Sequence, residues 1–190
     1  MLVAVFGQIG AGKSTVTKMF RELGAPTFSA DEINREMLSD EKYLSGLKEI
    51  FPFAFEDGKL NKAALRKAVF SDPEALKKLN DYAHPEIFKR MKQKCAGAAV
   101  AFCEIPLLNA SGARRYFDKT VYVSAERETK LKRIVERDGI GLEEAARILG
   151  IQSGEALSEA YADYIIENDG DKDALREKVY KVYSELTRKL

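Results

Sequence analysis

The sequence predicts an α/β fold, a five-stranded parallel sheet flanked by helices. Short apolar runs alternate with longer segments of helical period, as in a repeated strand–helix unit. The apolar runs lack strict in–out alternation, which fits strands covered on both faces. The length bounds the class. With 190 residues, 45% hydrophobic and 32% charged, the chain suits one soluble globular domain, and no apolar run nears the roughly 18 residues of a bilayer span.

The elements follow in order. "LVAVF", Leu2–Phe6, reads as the first strand and leads into the glycine-rich "GQIGAGKST" of residues 7–15. A helix is expected over Ser14–Leu23, because Val16, Met19, Phe20 and Leu23 share one face. Gly24 and Pro26 then stop it. Thr27–Phe28 is a weak second strand. Residues 40–97 hold no strand candidate and read as several helices, with a turn at "EDGKL" and Pro73 opening a helix in "SDPEAL". Ala98–Ile105, Thr120–Val123 and Tyr164–Ile166 are the remaining strand candidates. Residues 138–160 read as short polar helices expected to move. Lys172–Leu190 closes the chain as a helix, with Leu175, Val179, Val182 and Leu186 at helical spacing. The expected organisation is one domain, with a core of 1–39, 98–137 and 161–190 and insertions at 40–97 and 138–160.

Charge and cysteine usage exclude several classes. Net charge is +1, with 31 basic against 30 acidic residues, so no general nucleic-acid binder is expected. No membrane association is expected either, and "LVAVF" runs straight into the glycine loop rather than forming a signal peptide. Cys95 and Cys103 form no C-x-x-C, which argues against a disulfide framework or cysteine zinc site and for buried thiols in a cytoplasmic protein. His84 is the single histidine, so a multi-histidine metal site is excluded.

Gly7-Gln8-Ile9-Gly10-Ala11-Gly12-Lys13-Ser14 matches G-x-x-x-x-G-K-[ST] between a strand and a helix, the P-loop context. The glycines let successive N–H groups turn into one concavity. Those groups and the positive end of the following helix bind phosphate oxygens. The candidate nucleotide site is therefore Gly7, Gly10, Ala11, Gly12, Lys13, Ser14 and the adjoining Thr15. Lys13 is expected to reach the β- and γ-phosphates of a nucleoside triphosphate, and Ser14 to ligate Mg²⁺. No guanine-reading N-K-x-D occurs, so a small-molecule kinase leads over a GTPase.

Four further features carry two readings each. Asp31 follows the second strand candidate at the sheet edge where such folds place ligands, and could take a proton from an attacking hydroxyl. Equally, Ser29 and Glu32 form a capping box that makes Asp31 a first-turn acid. Lys130, Arg133 and Arg137 share a helix face suited to a polyphosphate, or belong to a solvated helix with Glu126–Lys130 and Glu128–Lys132 pairs. Glu104 ends a strand candidate where a Walker-B acid would help hold Mg²⁺, or is an exposed strand-end carboxylate. His84, beside Pro85, is a substrate contact or a structural hydrogen-bonding residue.

Taken in chain order, these pieces resemble the dephospho-CoA kinase family nearly end to end. "GQIGAGKST", "LGAPTFSADEINREM", "DGKLNKAALRKAVFSDPEALKKLNDYAHPEI", "EIPLL", "LKRIVERDGIGLEEAARILGIQ" and "ADYIIENDG" are similar to its successive signatures. The resemblance implies a P-loop kinase fold with a helical substrate-binding insertion and a short helical lid. It implies ATP-dependent phosphorylation of the ribose 3′-hydroxyl of dephospho-CoA, giving CoA and ADP as the final step of coenzyme A biosynthesis. Asp31 would be the general base, with Lys13 and Arg137 stabilising the transferring phosphoryl. Asn168 would contact the nucleotide. Asp31, His84, Pro106 and Leu107 would contact substrate. Ser14 and Glu104 would serve the metal. A monomer or weak homo-oligomer is expected. The chain departs from the family at Ser29, Lys62 and Asn109-Ala110, and at Glu155 and Ser158, where the lid is usually basic. Two other classes stay open: another small P-loop kinase, of nucleoside monophosphate kinase type, and a non-catalytic nucleotide-binding protein.

Overall fold

Apart from short 3₁₀ turns, the elements run β1 (Leu2–Phe6), α1 (Lys13–Glu22), β2 (Thr27–Ser29), α2 (Ala30–Met37), α3 (Glu41–Ile50), β3 (Phe55–Glu56), β4 (Lys59–Leu60), α4 (Lys62–Ser71), α5 (Pro73–Lys94), β5 (Ala101–Glu104), β6 (Lys119–Ser124), α6 (Arg127–Asp138), α7 (Leu142–Ile151), β7 (Tyr164–Glu167) and α8 (Lys172–Thr187). They belong to a computed structural model that describes residues 1–106, 108, 112–152 and 157–188, with 157 and 158 by backbone alone. The chain divides into two units, one of Met1–Ser29 with Cys95–Leu190, the other of Ala30–Lys94.

The first unit is built on a five-stranded sheet in the order β2-β5-β1-β6-β7. Every pairing is parallel. All five residues of β1 are buried, which is why its sequence is a continuous apolar run rather than an alternating one. Val5 lies opposite Glu104 on one side and Val121 on the other, while Ser29 also pairs with Glu104. Successive strand residues point to opposite faces. Val3, Val5, Phe102 and Val121 join one cluster with Val16 and Phe20 of α1 and with Leu175, Val179 and Val182 of α8. Phe20 stacks on Phe102 at 3.7 Å, the rings 7° apart. Each such side chain contributes about 1.5–3 kcal/mol by leaving water. Phe6 meets Tyr122 edge-on at 5.2 Å.

The five strands occupy the five expected places. β5 is shorter than the apolar run Ala98–Ile105, because Gly97 turns at φ 87° and the Ala98 N–H closes on the Cys95 carbonyl at 3.0 Å. The segment after α6 is amphipathic rather than uniformly polar: Ala145 and Leu149 of α7 bury against Ile134 of α6. Of the two thiols expected inside, Cys103 is buried and Cys95 only half-buried.

The second unit holds α2 to α5. α2 packs on α5, with Lys94 paired to Glu36 at 2.8 Å, so residues 30–39 group here rather than with the sheet. Two short strands, β3 and β4, pair antiparallel where the sequence analysis expects none. Their turn is Asp57-Gly58, at φ 48° and 78°, the left-handed pair of a two-residue hairpin. α5 is continuous over 22 residues, with Pro85 inside it. Asp40 caps α3, its Oδ1 accepting from the Lys42 and Tyr43 N–H groups at 3.0 and 3.3 Å. The Arg90 guanidinium donates to Asp40 Oδ2.

Candidate active site

The phosphate-type loop joins the buried β1 to α1. Gly12 is the N-cap of α1 at φ 94°, with no side chain capping the helix. A helix start without a side-chain cap is the kind of N-terminus that takes an anion. Gly7, at φ 142°, also admits no side chain, since a Cβ there would stand 2.3 Å from the Val123 carbonyl oxygen of β6. Lys13 Nζ donates to the Gly7 and Gln8 carbonyls at 3.0 and 3.2 Å, so the ammonium is held over the loop. Ala11 is buried, whereas Ser14 and Thr15 are exposed.

Ser14 Oγ donates to Glu104 Oε1 at 3.1 Å. These residues are 90 positions apart in sequence, and the pairing of β1 with β5 brings them together. A hydroxyl beside a carboxylate is a hard-oxygen donor set of the kind Mg²⁺ takes. Among the described residues no group of three or more His, Cys, Asp or Glu converges on a metal position. Any metal here would therefore draw further ligands from phosphates and water, which is the habit of Mg²⁺.

The loop is also gripped from α6, α7 and the turn after β7. Lys130 Nζ donates to Gln8 Oε1 at 2.5 Å, and burial holds its pKa below the ordinary lysine value. Gln8 is itself buried and donates from Nε2 to the Gln152 carbonyl at 3.1 Å. The Ile9 N–H donates to Gln152 Oε1 at 2.8 Å. Arg133 donates to the Gly10 carbonyl at 3.3 Å and to the Asn168 carbonyl at 2.9 Å. Asn168 Nδ2 donates to the Ala11 carbonyl at 2.8 Å.

Several expected residues therefore converge: Gly7, Gly10, Ala11, Gly12, Lys13, Ser14, Glu104 and Asn168. Arg137 goes elsewhere. Its Nε and NH2 donate to Asp138 at 2.7 Å each, with its side chain 58% exposed. The loop cations of α6 are instead Arg133 and Lys130, about one and two turns nearer its start. Pro106 is half-buried just past β5, whereas Leu107 lies outside the described residues, as do Asn109, Ala110, Glu155 and the side chain of Ser158. Gln8 and Gln152 were not picked out from sequence as loop partners. Their separation of 144 residues leaves no local pattern to read.

In the second unit, Asp31 is an exposed acid in the first turn of α2, two residues beyond Ser29. His84 sits on α5, its ring edge-on to Phe88 at 6.2 Å. A cavity of about 570 Å³ in this unit is lined by Asp40, Tyr43, Tyr82, Pro85, Glu86 and Arg90, among others. Tyr43 and Tyr82 stack at 5.1 Å, and burial pushes the Tyr43 phenol up to about 12.

A family model described as dephospho-CoA kinase matches residues 1–174. The dephospho-CoA kinase of Brucella melitensis is 34% identical over 195 residues, covering 100% of this chain and 96% of that protein. A crystal structure from Thermus thermophilus superposes with TM-score 0.83 at 33% identity, over 98% of both chains. Dephospho-CoA kinase from Campylobacter jejuni superposes with TM-score 0.69 at 29% identity, over 99% of this chain and 98% of that one.

Proposed function

The chain belongs to the dephospho-CoA kinase family, and from that membership we propose that it transfers the γ-phosphoryl group of ATP to the ribose 3′-hydroxyl of dephospho-CoA. CoA and ADP are the products. The observation that carries the reading is the Ser14–Glu104 contact beside Lys13, which assembles the polar groups of a phosphoryl-transfer site at one loop.

The roles follow from the chemistry. Phosphoryl transfer needs the phosphates held in line with the acceptor and their growing negative charge compensated. The N–H groups of Gly10 to Ser14 hold the β-phosphate. Lys13, freed from the loop carbonyls by a better acceptor, neutralises the β- and γ-oxygens. Ser14 and Glu104 would hold Mg²⁺, which would supply Lewis-acid stabilisation of the transferring group. Asp31 accepts the proton of the 3′-hydroxyl. His84, Pro106 and Leu107 contact the acceptor, and Arg137 meets the nucleotide once the segment 138–160 closes and excludes water. Cys95 and Cys103 form no disulfide, which accords with a cytoplasmic setting. A monomer or weak homo-oligomer suffices for such a site, and no nucleic acid is required.

A panel of acceptors tests the reading. ADP release is expected with dephospho-CoA and negligible with AMP, CMP, shikimate or gluconate. Turnover with one of those four and none with dephospho-CoA overturns it.

A further inference from the structure

The Ala11 carbonyl is held from outside the loop. Asn168 Nδ2 donates to it at 2.8 Å, and Arg133 NH1 approaches it at 3.5 Å. Asn168 is fixed in turn at both of its backbone groups. Its N–H donates to the Ser124 carbonyl at 2.8 Å, and its carbonyl accepts from Arg133 NH2 at 2.9 Å. The side chain is buried, the residue being 6% exposed. An asparagine tied at three points is a rigid post.

This post has a consequence for the neighbouring peptide. The described residues contain no cis peptide bond. In a trans peptide the C=O and the following N–H point in opposite directions. Holding the Ala11 carbonyl against Asn168 therefore turns the Gly12 N–H to the other side of the loop. The two residues are also sterically matched. A Cβ at position 12 would stand 2.1 Å from Asn168 Nδ2, so the asparagine occupies the space that only a glycine leaves.

We propose that Asn168, braced by Arg133, is a positioning residue that aims the Gly12 N–H at the bound polyphosphate. It acts through the Ala11–Gly12 peptide and touches neither base nor ribose. The inference rests on the functional reading above, since it needs a polyphosphate in the loop.

The test uses Asn168→Asp, which keeps the size of the side chain but replaces the donor with an acceptor facing a carbonyl. Affinities are measured for ATP, GTP and inorganic tripolyphosphate, each with Mg²⁺. The Gly12 amide resonance is followed during the tripolyphosphate titration. All three ligands should weaken by one common factor, about ten- to a hundredfold. The Gly12 resonance should move in the parent and stay still in the variant. Unchanged tripolyphosphate affinity, with loss confined to ATP and GTP, would place Asn168 on the nucleoside and overturn the proposal. Should Asn168→Asp fail to fold, Arg133→Lys replaces it. There a smaller loss common to the three ligands is expected, and an undiminished Gly12 shift overturns the proposal. A parent chain that binds none of the three overturns the functional reading itself, and this inference with it.

Discussion

Gly12 and Asp31 illustrate two grades of evidence at a single residue. Gly12 was legible because its requirement is local: a left-handed φ of 94° that a side chain resists. Asp31 was legible only as a choice between a base and a first-turn acid. It does lie in the first turn of α2, so its charge complements the helix dipole whatever else it does. The catalytic role is separable by experiment. Asp31→Asn keeps the shape and removes the basic oxygen. We expect kcat with dephospho-CoA to fall about 10²- to 10⁴-fold, while ATP affinity stays at the parent value by calorimetry. Near-parental turnover would remove Asp31 from the chemistry. Ser14 and Glu104 show the opposite case. Each residue was readable alone, yet their contact depends on β5 lying beside β1.

At the scale of elements, apolar spacing located the strands and helices well wherever a segment was long enough to show a period. α1 and α8 bury the faces their sequences display. The β3–β4 hairpin escaped because two residues per strand are too few to establish alternation. In α7 the charged positions draw the eye, yet Ala145 and Leu149 pack on Ile134 and bring Gln152 to the loop. Leu149 is 3% exposed, so Leu149→Ala should cost about 2–5 kcal/mol locally. Hydrogen exchange should then speed up along α7 with α8 unaffected, and ATP should bind more weakly as the Gln152–Ile9 bond loosens. Parental protection of the α7 amides would show that the cluster does not hold this helix.

For the whole molecule, the sheet order decides which ends meet. β6 and β7 are neighbours, and Asp163 ties their starts together. Its carboxylate accepts from Lys119 Nζ at 2.7 Å and from the Thr120 N–H and hydroxyl at 2.9 Å each. Burial raises its pKa, but the bonds from Lys119 and Thr120 outweigh burial and hold it below the ordinary carboxylate value. A depressed folded pKa makes this tie fully effective above the unfolded value, about 3.9, and weakens it as pH falls through the folded value. Asp163→Asn should therefore destabilise the protein by about 1–3 kcal/mol at neutral pH, with the difference shrinking below about pH 4. Thermal midpoints between pH 3 and 8 check this, and a constant difference across that range would refute it.

The sequence by itself determined the strand–helix alternation, the five-stranded class, the phosphate loop and, through resemblance, the family. These depend on runs and spacings within a few turns of chain, where local sterics and apolar period act directly. Only the tertiary structure decided that Arg133 rather than Arg137 grips the loop, that Gln152 completes Ile9, and that Asn168 stands behind Gly12. Those contacts span 35 to 157 residues or turn on which step of one helix faces the sheet. They are set by the order β2-β5-β1-β6-β7, a product of packing the whole chain that no local stretch encodes.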